Sequence, residues 1–339
     1  GAASNYTLTG GTHNFTVNRR VVGVSGTRLY DATTNAIASD LSAHANLVGT
    51  QTLTLSGTGT IASKDVGSSK TVSVGTLALG NGSNGGLAAN YTLTGGTHQL
   101  TVNQRPLNAT LARQYDGTTA SAGSTLSSFD ALQGGETLTL SGSGTAANDN
   151  VANGISVSSL GTLALANGTG TASNYSLNSA AINITQRVLN SSGSKTYDAN
   201  TNALAGAITL SNLVSGEALN HSGTATTSSA NAGSYTISNL SGISIADGSG
   251  GAASNYTLTG GTHNFTVNPK VVSIQGNKTY DGNTTISTGN ITSVIGTVGT
   301  QTLVISGGSG TVSSANSATY ASAGINEGTL TLGNGTNGG

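Results

Sequence analysis

The chain has 339 residues, of which 51 are Gly and only 2 are Pro, with no Cys, Met or Trp, and charged residues make up 7% against roughly 25% in an ordinary soluble domain. A formal net charge of -1, with 11 Lys and Arg spread along the chain, excludes the concentrated positive face that nucleic-acid binders need. No run of about 18 apolar residues occurs, so no membrane insertion by a helix is expected, and without Cys no disulfide can staple a small domain.

In chain order, apolar residues alternate with Thr and Ser at the period of a strand. Tyr6 and Leu8, Phe15 and Val17, Leu53 and Leu55, Val72 and Val74, and Leu77 and Leu79 each point one way. Gly10-Gly11, Asn81-Gly82, Gly95-Gly96, Asn167-Gly168 and Asn334-Gly335 supply the positive φ of hairpin turns. Residues 5–18 are therefore predicted to form a β-hairpin. Helix content is expected to be very low, with at most a short helical turn after each Tyr-Asp pair, because Thr, Val, Ser and Gly dominate every window. The low net charge and the strand-period alternation argue for folded β-structure over a disordered linker.

The chain repeats itself about four times. Residues 1–18 recur without change as residues 251–268, and Tyr30-Asp31, Tyr115-Asp116, Tyr197-Asp198 and Tyr280-Asp281 follow one another at intervals of 85, 82 and 83 residues. A second tyrosine recurs in step, at Tyr6, Tyr91, Tyr175 and Tyr256. The expected organisation is a split repeat's terminal hairpin at 1–18, then repeats at 19–103, 104–185, 186–268 and 269–339, the last lacking its final hairpin. A period this long favours discrete modules of about 82 to 85 residues over a solenoid coil of roughly 20 to 30. The expected fold is thus an all-β tandem array of β-sandwich, Ig-like modules. Almost nothing separates one module from the next, so a stiff, extended rod is expected. The split repeat has two readings: an array cut out of register, or head-to-tail joining in which Asn5, Tyr6, Leu8, Phe15 and Val17 of one copy complete the open repeat of the next. Any export signal is expected to lie outside these residues.

The charges are placed by the repeat. Arg20 and Arg28, Arg105 and Arg113, Arg187 and Lys195, and Lys270 and Lys278 are pairs eight apart and account for 8 of the 11 basic residues. They read either as a row of cations meeting anionic polysaccharide or lipid head groups, or as local pairs such as Arg28 with Asp31, worth little if exposed. The Tyr-Asp marker reads as a strand-to-turn corner, with the ring buried, its hydroxyl bonded to backbone and the Asp closing an Asx turn before Gly117 or Gly282. No base or second carboxylate accompanies the marker Asp at constant spacing, so no enzyme activity is expected. His13, His98 and His263 share one position, with Ala181 near the matching place in the third copy, and one His per repeat is too few ligands for zinc. No calcium-loop pattern occurs, and no cofactor is expected. The sequons at Asn5, Asn90, Asn174, Asn255 and Asn264 follow from a composition rich in Asn, Ser and Thr.

The stretch from Lys278 through Tyr280-Asp281-Gly282, the Leu-Thr-Leu-Ser-Gly run from Leu138, and Ala253-Ser-Asn255-Tyr256-Thr-Leu-Thr-Gly-Gly together resemble the YDG-type repeats of large bacterial haemagglutinin-like adhesins. Ala32 and Ala199 stand where the pattern has Gly. The resemblance implies an exported surface or matrix protein, often secreted by the two-partner route, in which such repeats form the shaft. The expected function is therefore a stiff stalk of an extracellular bacterial adhesin or biofilm matrix fibre, whose partners are neighbouring repeats or other copies of itself, and surface polysaccharide. The rivals are a self-polymerising filament subunit and a carbohydrate-binding array. Aromatic residues at 4% leave few platforms for sugar stacking.

Overall fold

The computed structural model describes residues 1–339 and consists of short strands and 3₁₀ turns, with no α-helix. It divides into two compact units, Gly1–Thr185 and Gln186–Gly339.

In the first unit, the strands of the first repeat are β1 (Arg20–Val21), β2 (Gly23–Leu29), β3 (Asn35–Ile37), β4 (Ala43–Ala45), β5 (Leu53–Ser56), β6 (Thr58–Ile61), β7 (Gly67–Ser73), β8 (Ala78–Asn81), β9 (Tyr91–Thr92) and β10 (His98–Asn103). Six of them form one sheet in the order β3-β6-β7-β10-β2-β4. The last strand thus lies in the middle, antiparallel to β7 and parallel to β2, with His98 opposite Val24 and Asn103 opposite Leu29. A parallel pair needs a long crossover, and here the whole remainder of the repeat supplies it. Alternation along β10 buries His98, Leu100 and Val102. Leu100, Val24 and Val72 join Leu53 of the separate β5–β8 ribbon in one apolar cluster, so the ribbon closes against the sheet.

The second repeat builds the same sheet from Ala120–Ala122, Ser143–Ala146, Ala152–Ser159, Tyr175–Thr185, Arg105–Gln114 and Leu126–Phe129, in that spatial order. Only Gln104 separates β10 from Arg105–Gln114. The apolar cluster continues into this repeat through Leu138 and Tyr175.

In the second unit, residues 186–268 form a seven-stranded version in which His263–Asn268 is the central strand. Its core includes Ala203, Ile208, Ala225, Ile237, Phe265 and Val267. Residues 269–339 hold three separate small sheets. Ser273–Gly276 pairs with Ile291–Ile295, Ser309–Val312 lies between Thr285–Ser287 and Ile325–Asn326, and Leu303–Gly307 pairs with Thr331–Asn334. No central strand joins them.

Two local expectations differ from the structure. Residues 5–18 form no hairpin: one 3₁₀ turn, Ala3–Asn5, is their only regular element, and Tyr6, Leu8, Phe15 and Val17 are exposed. The identical residues 251–268 form no hairpin either. Tyr256–Thr257 runs parallel to Arg187–Val188, and His263–Asn268 runs parallel to residues 191–196. The two short strands therefore lie in line beside the repeat's first stretch, and the Gly-Gly step between them is a detour, not a reversal. In the second repeat, which lacks Gly-Gly here, the same stretch is one 11-residue strand, Tyr175–Thr185. A short 3₁₀ turn follows each marker, at Ala38–Asp40, Gly123–Thr125, Ala205–Ala207 and Thr288–Asn290, and a second, not expected, precedes the second tyrosine at Ala88–Asn90, Ala172–Asn174 and Ala253–Asn255.

The marker turn requires a left-handed residue after the Asp. Gly117 and Gly282 have φ of 72° and 79°, and Ala32 and Ala199 adopt the same conformation at 62° and 65°, so the substitution leaves the turn unchanged. A left-handed conformation costs a non-glycine residue roughly 1–2 kcal/mol, offset in part by the extra freedom glycine has when unfolded. The methyl of Ala199 is exposed, whereas Ala32 packs against the core. Ala199→Gly is expected to raise the stability of the second unit by about 0.5–1 kcal/mol, measured by urea unfolding, and Ala32→Gly to gain less because it also removes a packed methyl.

Candidate inter-repeat interface

Each marker builds a corner from local bonds. The Asp31 carboxylate accepts hydrogen bonds from the Thr33 amide and hydroxyl at 2.9 and 3.0 Å, and Asp116 accepts the same pair from Thr118 at 3.0 and 2.9 Å. Asp198 and Asp281 accept from the amides of Asn200 and Asn283 at 3.2 and 3.1 Å. These are Asx turns, which fix the chain leaving the strand. The basic residue two before each tyrosine pairs with its Asp: Arg28 with Asp31, Arg113 with Asp116, Lys195 with Asp198 at 2.7 Å and Lys278 with Asp281 at 2.9 Å. Burial raises the pKa of Asp198, but bonds from Lys195 and Asn200 outweigh it and leave it lowered. The other basic residue of each pair is also engaged locally in several copies. Arg20 Nε donates to Asn46 O at 2.6 Å, Arg105 Nε to Tyr30 O at 2.8 Å and Arg187 Nε to Asn212 O at 2.6 Å.

The marker tyrosine faces the following repeat. The Tyr30 amide donates to Asn103 O at 2.9 Å, where the first repeat finishes, and its carbonyl receives Arg105, where the second begins. Its ring is fully buried, edge-on to Tyr175 at a centroid distance of 5.2 Å. Its hydroxyl was expected to bond backbone; instead it donates to the Glu136 carboxylate of the second repeat at 2.6 Å. Glu136 also accepts from the Tyr175 hydroxyl at 2.8 Å and from Lys64 Nζ at 2.5 Å. Lys64 lies 5.7 Å from the centre of the Tyr30 ring. Beside this group the buried Asn174 accepts the Val66 amide and donates to Asp65, both at 2.9 Å. Side chains of both repeats thus form two adjoining polar groups, at Glu136 and at Asn174, over a continuous apolar core.

The second unit has the corresponding contact. Gln301 Nε2, in residues 269–339, donates to the Tyr197 hydroxyl at 2.8 Å. The second tyrosine of each repeat anchors the same Gln or Glu from within its own repeat: Tyr91 donates to Gln51, Tyr175 to Glu136 and Tyr256 to Glu217 at 2.6 Å. These hydroxyls also accept the amides of Val48, Gln133 and Val214 at 3.2, 3.1 and 3.0 Å. Sequence reasoning overlooked this position, although Gln51, Glu136, Glu217 and Gln301 stand 21, 21, 20 and 21 residues after the marker tyrosines. The change between Gln and Glu from repeat to repeat hid it. Tyr115 is buried and Tyr197 half-buried, whereas Tyr280 and Tyr6 are exposed. The burial expected of the marker ring therefore fails at Tyr280, whose repeat has no central strand beside it. The repeated histidines brace the Gly-Gly detour: His98 Nε2 donates to Leu93 O at 2.9 Å while Nδ1 accepts the Val24 amide at 3.3 Å, and His263 bonds Leu258 O and Ser191 at 2.8 and 2.9 Å.

The family model for the YDG domain matches three segments, residues 14–101, 97–183 and 181–265. A search of curated proteins gives no match.

Burial raises the Glu136 pKa, but the bonds from Lys64, Tyr30 and Tyr175 together outweigh it, so the carboxyl ionises below the ordinary value of 4.5. Burial pushes Tyr175 up to about 12, opposed by the bond from the Gln133 amide and reinforced to a lesser extent by the bond to Glu136. A carboxylate with a depressed folded-state pKa contributes stability that is present above the unfolded pKa and lost as pH falls through the folded one. Glu136→Ala is expected to destabilise the first unit by about 2 to 3 kcal/mol at neutral pH, read by urea unfolding with tyrosine fluorescence. The difference from wild type should shrink below pH 4.5, where the wild-type carboxylate itself becomes protonated.

Proposed function

The chain belongs to the YDG-domain family, and from that premise we propose that it is a stalk segment: a stiff, extended array of small β-sandwich modules in an extracellular bacterial adhesin or matrix fibre. The observation that carries this reading is the network at Glu136. A one-residue connector and a shared apolar core leave the first two repeats little freedom to bend, which suits a module whose task is to transmit length and direction. The ribbon closing on each sheet supports the two-layered module. The local engagement of the repeated cations leaves few free charges for an anionic polysaccharide, so a row of cationic binding sites is the weaker reading. Chemistry is likewise unsupported, because the buried carboxylate is saturated by two hydroxyls and an ammonium and has no open side for a substrate.

Small-angle scattering of the 339-residue chain tests the reading. A compact fold of this length would have a radius of gyration of about 20 Å. An end-to-end array is expected to give about twice that value with a rod-like cross-section; a value near the compact one would overturn the stalk assignment.

A further inference from the structure

Three side chains share one row across the sheet of the first repeat. Val24 of β2 stands opposite His98 of β10 on one side and opposite His44 of β4 on the other. Residues directly opposite one another in a sheet face the same way, and Val24 is 1% exposed, so both imidazoles lie on the core side. The matching row is built differently elsewhere. In the second repeat Ala109 lies between Ala180 and Phe129, and in the third Ser191 lies between His263 and Leu210. In residues 269–339 Ile274 lies opposite Val294. His44 thus occupies a place that is apolar in the other three.

No partner offsets the polar ring there. Its Nε2 is buried without a hydrogen bond, which costs free energy that an apolar side chain does not. His98 cannot relieve it, because Nδ1 accepts the Val24 amide at 3.3 Å and Nε2 donates to Leu93 O at 2.9 Å. The charged groups on the neighbouring elements are engaged or work the other way. Arg28, further along the same face of β2, is paired with Asp31, and Arg20 Nε of β1 holds Asn46 O. Asp40, in the turn before β4, has its pKa raised by burial, so acid favours the fold through it. The β5–β8 ribbon carries no charge. Burial alone acts on His44, holding its pKa below the ordinary 6.5.

We propose that His44 makes β4 an acid-released edge strand: a proton on the buried ring drives β4 off β2 and bares the β2 edge. The strand is suited to this, since it is three residues long, lies outermost in the sheet and is paired only to β2. A histidine whose folded pKa lies below its unfolded value contributes stability that is present above the unfolded value and lost as pH falls through the folded one. The loss therefore begins below pH 6.5, above the range in which Glu136 titrates. A bared edge is a template for strand pairing, so the first repeat changes from a closed module to an open one as the medium acidifies. The inference does not depend on the stalk reading.

Hydrogen–deuterium exchange of the full chain at about pH 7.5 and about pH 5.5, corrected for intrinsic exchange rates, tests it. Residues 23–25 and 43–45 are expected to lose protection at the lower pH. Residues 191–193 and 208–211 of the third repeat, which has Leu210 in place of His44, should keep theirs. His44→Leu should hold the first repeat protected at both values, and His44→Phe, which matches Phe129, serves as a second variant. Protection of residues 43–45 that is indifferent to pH would overturn the proposal. So would a loss that is undiminished in both variants, or one shared equally by the third repeat.

Discussion

Each complete repeat is organised by the parallel pairing of its final strand with its first. Because β10 lies in the middle of the sheet and not at an edge, the two halves of the repeat are joined only when its last residues are in place. The same pairing returns the chain to the marker tyrosine just as the next repeat begins: Asn103 O accepts from the Tyr30 amide, and the Tyr30 carbonyl accepts from Arg105 Nε. The junction is thus a consequence of how each repeat closes. Residues 269–339, which hold no such strand, contain three small sheets that are not joined.

The polar network at Glu136 acts on that framework. A buried carboxylate is costly to desolvate unless its oxygens are fully satisfied. Here one oxygen accepts from Tyr30 and Lys64 and the other from Tyr175. Two acceptor oxygens meet three donors drawn from both repeats, so the network is complete only at one relative placement of the two. The apolar cluster that includes Val22, Tyr30, Leu138 and Tyr175 supplies the burial, and the network supplies the orientation. The marker ion pairs such as Lys278 with Asp281 shape turns at the surface.

The repeat, its period and its β character are legible from the sequence, because Tyr-Asp and the alternating Leu and Thr runs recur in phase. The order of strands is not. Residues 251–268 carry the pattern of a hairpin, with two apolar runs around Gly-Gly, yet each run pairs in line with residues 187–196. Local turn chemistry cannot distinguish reversal from detour, since the deciding partner lies about 70 residues away. Glu136 was hidden for a related reason. Its partners Tyr30 and Lys64 are 106 and 72 residues distant, and its position is Gln in two repeats and Glu in two. The turn at Ala32 and Ala199 shows the opposite case, in which the fold imposes a left-handed conformation on a residue that disfavours it.

The central claim is that the network at Glu136 fixes one repeat against the next. The absence of cysteine allows a clean pair of spin labels at Thr54→Cys and Thr139→Cys, both exposed positions on the ribbons of the first two repeats. Pulsed electron paramagnetic resonance should then give a single narrow distance distribution that broadens markedly in the Glu136→Ala background. A distribution already broad with Glu136 in place, or one indifferent to its loss, would contradict the account.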